Sequence, residues 1–472
     1  MYTDLLKMCG LSDAEIEKNR TRIDTTFRKL ELGSKDIRLA EKRLPEQMDM
    51  TLAGVRKCMR LWFLELFDLV MAKEEGRKLI YFTAPDVPFE AMEAVRAAAV
   101  LNGKDVYVGD PAFLEATVMG IVFDRHDAIV EHGELALPPG NGHCLMSQSK
   151  AGGLAKGYIP LPDLEVVGGY YCDQVPEAED LLAELYGFKT VYLDSCFDAD
   201  WEQWPDVEPR RVEYLKDRYM RCFAAAEEVI GEKITDEIIT QGRKRHMQAL
   251  IPYIEIRDLL AMDPPPMSVA NVVPFFYMFF NPLAEKKDWV DACQTLLKEG
   301  KQRAKDGVAI VPKGAPAVLF PLVPNVDTGV AQMIENMGVR IPTMILMHPT
   351  KAERSRKKTF TDPLGHIVEG FFSKTWYCLN FAPVKQWLVE MVDQFDLDGV
   401  IFVYQAVCRV NACNNNPVML KKAIQDDTGV PFINIEGDYH CTRTYPIEEW
   451  RTRIETFVEV VKEYHARKMA AV

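Results

Sequence analysis

A chain of 472 residues, 48% hydrophobic and 27% charged, carries enough apolar surface for two or three packed domains. Its formal charge of −14 excludes nucleic acid or an anionic membrane as the main partner, since both favour basic surfaces. Eleven scattered cysteines, an odd number without a dense framework, point to free thiols in a reducing compartment, and with neither a signal peptide nor a membrane-spanning run the expected location is cytoplasmic.

Residues 1–77 read as a helical N-terminal region, with a capping-box pattern at Ser12-x-x-Glu15 and a long amphipathic run that stops at Gly76. From residue 78 short apolar runs alternate with helical patterns. Leu79–Thr83, Val106–Val108, Glu165–Tyr171 and Thr190–Asp194 read as strands, with a helix over Phe89–Leu101, which marks 78–204 as a first α/β domain. Residues 205–312 lose the strand signal. Helix formers dominate Tyr214–Glu228 and Asp236–Leu260, and Pro264-Pro265-Pro266 punctuates a helical insertion. A second alternating set spans 313–472. Its strands are expected near Ala317–Leu322, Thr343–Met347, Gly399–Val407 and Phe432–Ile435, and its helices near Thr328–Met337, Val384–Phe395 and Val418–Asp427. Such alternation predicts an α/β fold with two doubly wound parallel-sheet domains of the flavodoxin or Rossmann kind.

Three cysteines stand out by position. Cys172 and Cys408 follow apolar strand runs in separate halves, and Cys144 precedes a Ser/Gly-rich helical start. Ligands in open α/β sheets sit at the carboxyl ends of strands, so the cleft between the halves is the natural place for a site. Three thiolates are too few for a closed structural zinc site but suffice for an iron–sulfur cluster with one iron left open. Cys9, Cys58, Cys222 and Cys293 lie within helical patterns and read as packing residues. Cys196, Cys378, Cys413 and Cys441 fall in loops or at element ends and are intermediate. His143, beside Cys144, and Glu436 and Asp438, at the end of the last strand, are candidate acid–base groups; helix capping, interface contacts or loop packing are the structural alternatives. Ser147–Gly153 opens a helix yet matches neither a P-loop nor a dinucleotide fingerprint, and Asn414-Asn415-Asn416-Pro417 reads as a turn and N-cap.

Several motifs recur in a fixed order: Pro85-x-x-Pro88-x-Glu90; Cys144-(x)5-Lys150-Ala151-Gly152; Lys156-Gly157-Tyr158-Ile159-Pro160-x-Pro162-Asp163-Leu164; Cys172-Asp173; Asp362-Pro363-Leu364; Asp398-Gly399-Val400-Ile401; Gln405-Ala406-Val407-Cys408; and Thr428-Gly429-Val430-Pro431 through Tyr439. In that order and spacing the chain resembles the iron–sulfur subunits of the 2-hydroxyacyl-CoA dehydratase and benzoyl-CoA reductase family. Its length and Leu322-Val323-Pro324-Asn325 are more like the larger of the two subunit types.

The resemblance implies a [4Fe-4S] cluster on Cys144, Cys172 and Cys408. It further implies a homologous second subunit, identical or distinct, an ATP-hydrolysing [4Fe-4S] activator protein that supplies a low-potential electron, and an acyl-CoA substrate. The expected reaction is radical dehydration of an (R)-2-hydroxyacyl-CoA to the 2-enoyl-CoA through a ketyl radical. Dearomatisation of an aromatic acyl-CoA, as in benzoyl-CoA reductase, is the alternative, and an electron-transfer subunit or a double-cubane reductase is a third. A cluster-free α/β protein with structural cysteines would be colourless and iron-free when purified without air. The double-cubane branch places an extra cysteine where Pro342–His348 has none, which argues against it. Arg409-Val410-Asn411 after Cys408 matches neither the dehydratase nor the reductase pattern, so the acyl group stays open.

Overall fold

The computed structural model describes residues 2–471 apart from 84–87, 139–142, 170–172, 195–203, 282–285, 321–327, 345–347, 374–380, 406–415 and 438–445, and apart from the side chains of Phe113, Ala116, Tyr277 and Phe280. Five helices come first: α1 (Thr3–Met8), α2 (Asp13–Lys18), α3 (Arg20–Lys29), α4 (Ser34–Gln47) and α5 (Ala53–Met71). The capping box forms at α2, where Ser12 Oγ accepts the Glu15 N–H at 3.3 Å and Glu15 Oε2 accepts the Ser12 N–H at 2.9 Å. Gly76, at φ +75°, turns the chain into the first strand.

The first sheet contains β1 (Lys78–Phe82), β2 (Val106–Gly109), β3 (Leu164–Gly168) and β4 (Thr190–Leu193), parallel throughout in the order β2-β1-β3-β4. Its connections carry α6 (Phe89–Leu101), then α7 (Pro111–Glu115), a π-helical turn at Ala116–Val122, α8 (His126–Ala136) and α9 (Leu145–Lys156), then α10 (Gln174–Tyr186). α11 (Pro209–Ile230) packs across the outer face of this sheet, and α12 (Asp236–Leu260) lies along α6. After α13 (Val273–Tyr277), α14 (Lys286–Lys305) packs on α5 so closely that a Cβ on Gly54 would stand 2.5 Å from the Leu296 backbone. That second neighbour makes α5 buried on most sides rather than amphipathic.

The second sheet repeats the plan. Its strands β5 (Ala317–Phe320), β6 (Arg340–Met344), β7 (Gly399–Tyr404) and β8 (Phe432–Glu436) run parallel in the order β6-β5-β7-β8. Between them lie α15 (Thr328–Asn336), α16 (Lys351–Ser355), α17 (Pro363–Phe372), α18 (Phe381–Phe395) and α19 (Pro417–Thr428), and α20 (Ile447–Ala470) follows β8. The expectation of an α/β fold with two parallel sheets therefore holds. One strand starts earlier than expected: β6 begins at Arg340 and includes Pro342, while of the strand expected near Thr343–Met347 residues 345–347 lie outside the described residues. A proline missing its N–H is tolerated there because β6 is an edge strand. At the start of α19 the expected cap is present, with Asn416 Oδ1 accepting the Met419 N–H at 3.2 Å.

Side chains alternate between two apolar layers on each sheet, as strands covered on both faces require. Leu79 and Tyr81 of β1 join one large core with the N-terminal helices, while Ile80 and Phe82 join a second core under α11. Val318 and Phe320 of β5 enter the same large core, and Ala317 and Leu319 pack outward against α18. The four helix-borne cysteines behave as packing residues: Cys9, Cys58 and Cys293 are 0% exposed and Cys222 is 3% exposed, and burial pushes the Cys222 thiol up to about 12.

A buried acid ties α15 to the insertion. Glu335 bonds Ser268 Oγ through one oxygen and accepts the Val269 N–H at 3.0 Å through the other. Burial pushes its pKa up to about 7. A carboxyl raised in the fold stabilises fully below its unfolded value near 4.5, and that contribution, about 3 kcal/mol, is lost as the pH climbs to 7. Glu335→Gln is expected to flatten this part of the stability profile in urea titrations between pH 5 and 8, and an unchanged slope would place the proton elsewhere.

Candidate functional site

A sheet in which the third strand lies on the opposite side of the first from the second reverses its winding between first and third, and ligands collect outside the carboxyl ends there. That place is β1/β3 in one half and β5/β7 in the other. Cys172 comes four residues after Gly168, the end of β3, and Cys408 four residues after Tyr404, the end of β7. The two cysteines thus share one offset along the chain from their strands, and both lie outside the described residues, as does Asp438. The aspartates before these strands match as well. Asp163 Oδ2 accepts the Leu79 N–H of β1 at 2.9 Å, and Asp398 Oδ2 accepts the Ala317 N–H of β5 at 2.9 Å.

Cys144 is described. It is the N-cap residue of α9 in extended backbone, half-buried, with Sγ 3.6 Å from Ser147 Oγ. The N-terminus of a helix stabilises negative charge, so the position suits a thiolate ligand. His143 beside it is only 5% exposed, and neither ring nitrogen has a hydrogen-bond partner among the described residues. Burial holds its pKa below the ordinary value, with Glu177 of α10 acting in the opposite sense. A buried imidazole with two unpaired nitrogens marks a polar place that the described side chains do not fill.

Across β1 and β3 the edge is tied by Thr83, whose Oγ1 accepts the Gly168 N–H at 2.7 Å. Glu436 ends β8 opposite Tyr404 in the ladder, with Tyr404 Oη 3.4 Å from Glu436 Oε2. It is exposed, on the strand next to the one that leads to Cys408. Among the described residues, no three histidines, cysteines or carboxylates gather as a metal site, and Cys144 is the one expected cluster ligand they include. Its sulfur at a helix N-cap and the unsatisfied imidazole next to it fit a polar or anionic group such as a cluster or a thioester at this edge.

Two constellations were missed by the sequence reading. Glu90, in the first turn of α6, lies 3.8 Å from His246 Nε2, whose ring stacks on Phe89. Lys150 of α9 is buried between Glu165 of β3 and Glu179 of α10. A signal existed for the second: a carboxylate inside Leu164–Gly168, a strand buried on both faces, requires a cation partner. A separate depression at the amino end of the first sheet, lined by Arg22, Asp68, Glu75, Arg77 and Arg96, lies away from this edge. Its charges pair among themselves, Arg22 with Glu75 at 2.7 Å and Arg77 with Asp105 at 2.6 Å.

Comparison with known proteins narrows the chemistry. Residues 84–461 match the model of the 2-hydroxyglutaryl-CoA dehydratase D-component family. The alpha subunit of (R)-2-hydroxyglutaryl-CoA dehydratase from Acidaminococcus fermentans is 18% identical over 325 residues, 66% of this chain and 62% of that subunit, so the match spans less than two thirds of that relative. The alpha subunit of (R)-2-hydroxyisocaproyl-CoA dehydratase from Clostridioides difficile is 20% identical over 65% of this chain and 72% of its own length. The beta subunit of (R)-phenyllactyl-CoA dehydratase from Clostridium sporogenes is 23% identical over 53% of this chain and 64% of its own.

Proposed function

The chain belongs to the 2-hydroxyglutaryl-CoA dehydratase D-component family, and from that premise we propose that it is the iron–sulfur subunit of an enzyme that dehydrates an (R)-2-hydroxyacyl-CoA to the 2-enoyl-CoA through a ketyl radical of the thioester. The observation that carries the reading is the matched placement of Cys172 and Cys408 four residues beyond the third strand of each sheet, with Cys144 at the cap of α9. On this reading the three thiolates hold a [4Fe-4S] cluster, which when bound supplies a low-potential electron and one iron open to the thioester. The chain's own residues bind and shield. The N-terminus of α9 favours the anionic sulfur, the apolar strand ends exclude water, and His143, buried with both ring nitrogens unpartnered among the described residues, donates a hydrogen bond beside Cys144 on this reading. Glu436, at the end of the strand beside β7, and Asp438, two residues further along the sequence, are the proposed acid–base groups. The relatives are named as alpha and beta subunits, which supports a second, homologous subunit. An ATP-hydrolysing activator and an anaerobic cytoplasm complete the reading. Among the described residues no helix is long and apolar enough to cross a membrane.

Anaerobically purified chain is expected to carry about four irons. Cys144→Ser, Cys172→Ser and Cys408→Ser should each lose most of that iron, while Cys222→Ser, inside α11, keeps it. Colourless wild-type protein would overturn the cluster. Turnover with activator, ATP and a reductant on 2-hydroxyacyl-CoAs, set against aromatic acyl-CoAs, tests the substrate class, and reduction of the aromatic thioesters alone would overturn the dehydratase.

A further inference from the structure

Lys150 stands six residues after Cys144 on α9 and is 3% exposed. Its ammonium bonds Glu165 on β3 and reaches Glu179 on α10 at 2.5 Å; these carboxylates are 1% and 2% exposed. The ring of Phe188 lies 5.8 Å from Nζ and supplies an apolar wall. The three partners sit on three elements, and each element borders a candidate ligand. α9 begins at Cys144, β3 ends four residues before Cys172, and α10 begins two residues after it.

Stability alone does not account for this arrangement. Three charges withdrawn from water lose much of what their attraction returns, and well-packed apolar side chains of similar volume commonly do as well or better. A buried triad differs from such packing in direction. Short charge-assisted bonds fix where α9, β3 and α10 meet, since sliding any one of them strands a charge in a dry interior.

We propose that Lys150, Glu165 and Glu179 form a positioning device that fixes α9, with Cys144 at its cap, against β3 and α10, the two elements that flank Cys172 in the sequence, resting on the reading that these two thiols share a ligand. Burial and the neighbouring Glu179 push Glu165 up to about 8 and Lys150 acts in the opposite sense, so the ammonium is what holds the two carboxylates together in this dry interior.

The test separates positioning from stability. In the full-length chain Lys150→Met leaves two carboxylates without their cation and is expected to lower the melting temperature, so it is paired with Lys150→Met/Glu165→Leu/Glu179→Leu, which removes every buried charge, and with Lys150→Arg, which keeps them. The probe is phenylarsine oxide, which must bridge two thiols. It is added to iron-stripped, reduced chain in which Cys196, Cys378, Cys408, Cys413 and Cys441 are serine, leaving Cys144 and Cys172 beside the buried packing cysteines. The triple variant is expected to melt at or above the parent temperature yet capture the arsenical about tenfold more weakly, as loss of a supporting shell does at metal sites, with Lys150→Arg close to the parent. Iron content and the spectrum of the reduced cluster, measured without air on the same triad variants with all eleven cysteines kept, should follow the same order.

A folded triple variant that captures the arsenical as tightly as the parent overturns the proposal, and so does a parent that does not capture it at all. An iron-free wild type whose parent captures the arsenical, with that capture lost in the triple variant, overturns the cluster reading and leaves the positioning role standing.

Discussion

Replacing Gly152 or Gly133 with alanine is expected to lower stability by about 3 kcal/mol or more, although alanine is the better helix former by about 1 kcal/mol. Helices α8 and α9 cross with their backbones in contact. A Cβ on Gly152 would stand 1.9 Å from the Ile129 carbonyl oxygen, and one on Gly133 would stand 1.9 Å from that of Gln148. These obstacles are backbone atoms inside helices, so neither can turn aside as a side chain would. Relief requires α9 to shift, and α9 carries Cys144 at its start. Gly157, which ends α9 at φ +67° with nothing within 4 Å of its would-be Cβ, is the control; alanine there meets only the left-handed backbone penalty, about 1 kcal/mol. Thermal melts should place Gly152→Ala and Gly133→Ala about 3 °C or more below the parent, with Gly157→Ala much nearer to it. Equal losses at all three positions would mean that the close crossing is not what these glycines serve.

That crossing also shows where sequence reasoning stopped. The strands were legible because a strand covered on both faces must be almost wholly apolar, and Leu79–Phe82 or Val400–Val403 has no other reading. The stretch between β2 and β3 was not. Its helices α7 and α8 and the π turn at Ala116–Val122 owe their form to packing on α4, α5 and α9, which no local pattern announces. α20 was passed over although Trp450, Ile454, Phe457, Val458 and Val461 form a buried stripe at helical spacing, because charged residues surround it in the sequence. Position along the chain makes Cys172 and Cys408 candidates, and both lie outside the described residues. Lys150 stands in one of the sequence motifs, but its buried partners were not legible, because a lysine reads as solvent-facing until three separate elements are known to meet around it.

The repeated plan supplies a second test with a large expected effect. Asp163 and Asp398 occupy equivalent places, each bonding the backbone N–H of its sheet's first strand, but they differ in depth. The Asp398 side chain is 2% exposed and also meets His465 Nδ1 at 2.9 Å and Lys468 Nζ at 3.1 Å, so it pins α20 to the amino end of the second sheet. Asp163 is 17% exposed and pairs with Lys73 and Lys78, which reach it from solvent; its pKa is lowered because these lysines and the Leu79 N–H together outweigh its partial burial. Alanine at Asp398 leaves the buried Ala317 N–H without its acceptor and takes from His465 and Lys468 their shared anchor, although Lys468 keeps Asp396 at 2.7 Å, a loss of about 3 kcal/mol. At Asp163 the lysines return to water, and the loss is confined to about 1–2 kcal/mol for the backbone bond and the exposed pairs. Urea unfolding should therefore rank Asp398→Ala well below Asp163→Ala. Limited proteolysis should cut the C-terminal turns of α20 early in the former alone, since Asp398 meets that helix at His465 and Lys468. Similar losses at both positions would mean that the shared place in the two sheets, rather than burial, governs what each aspartate contributes.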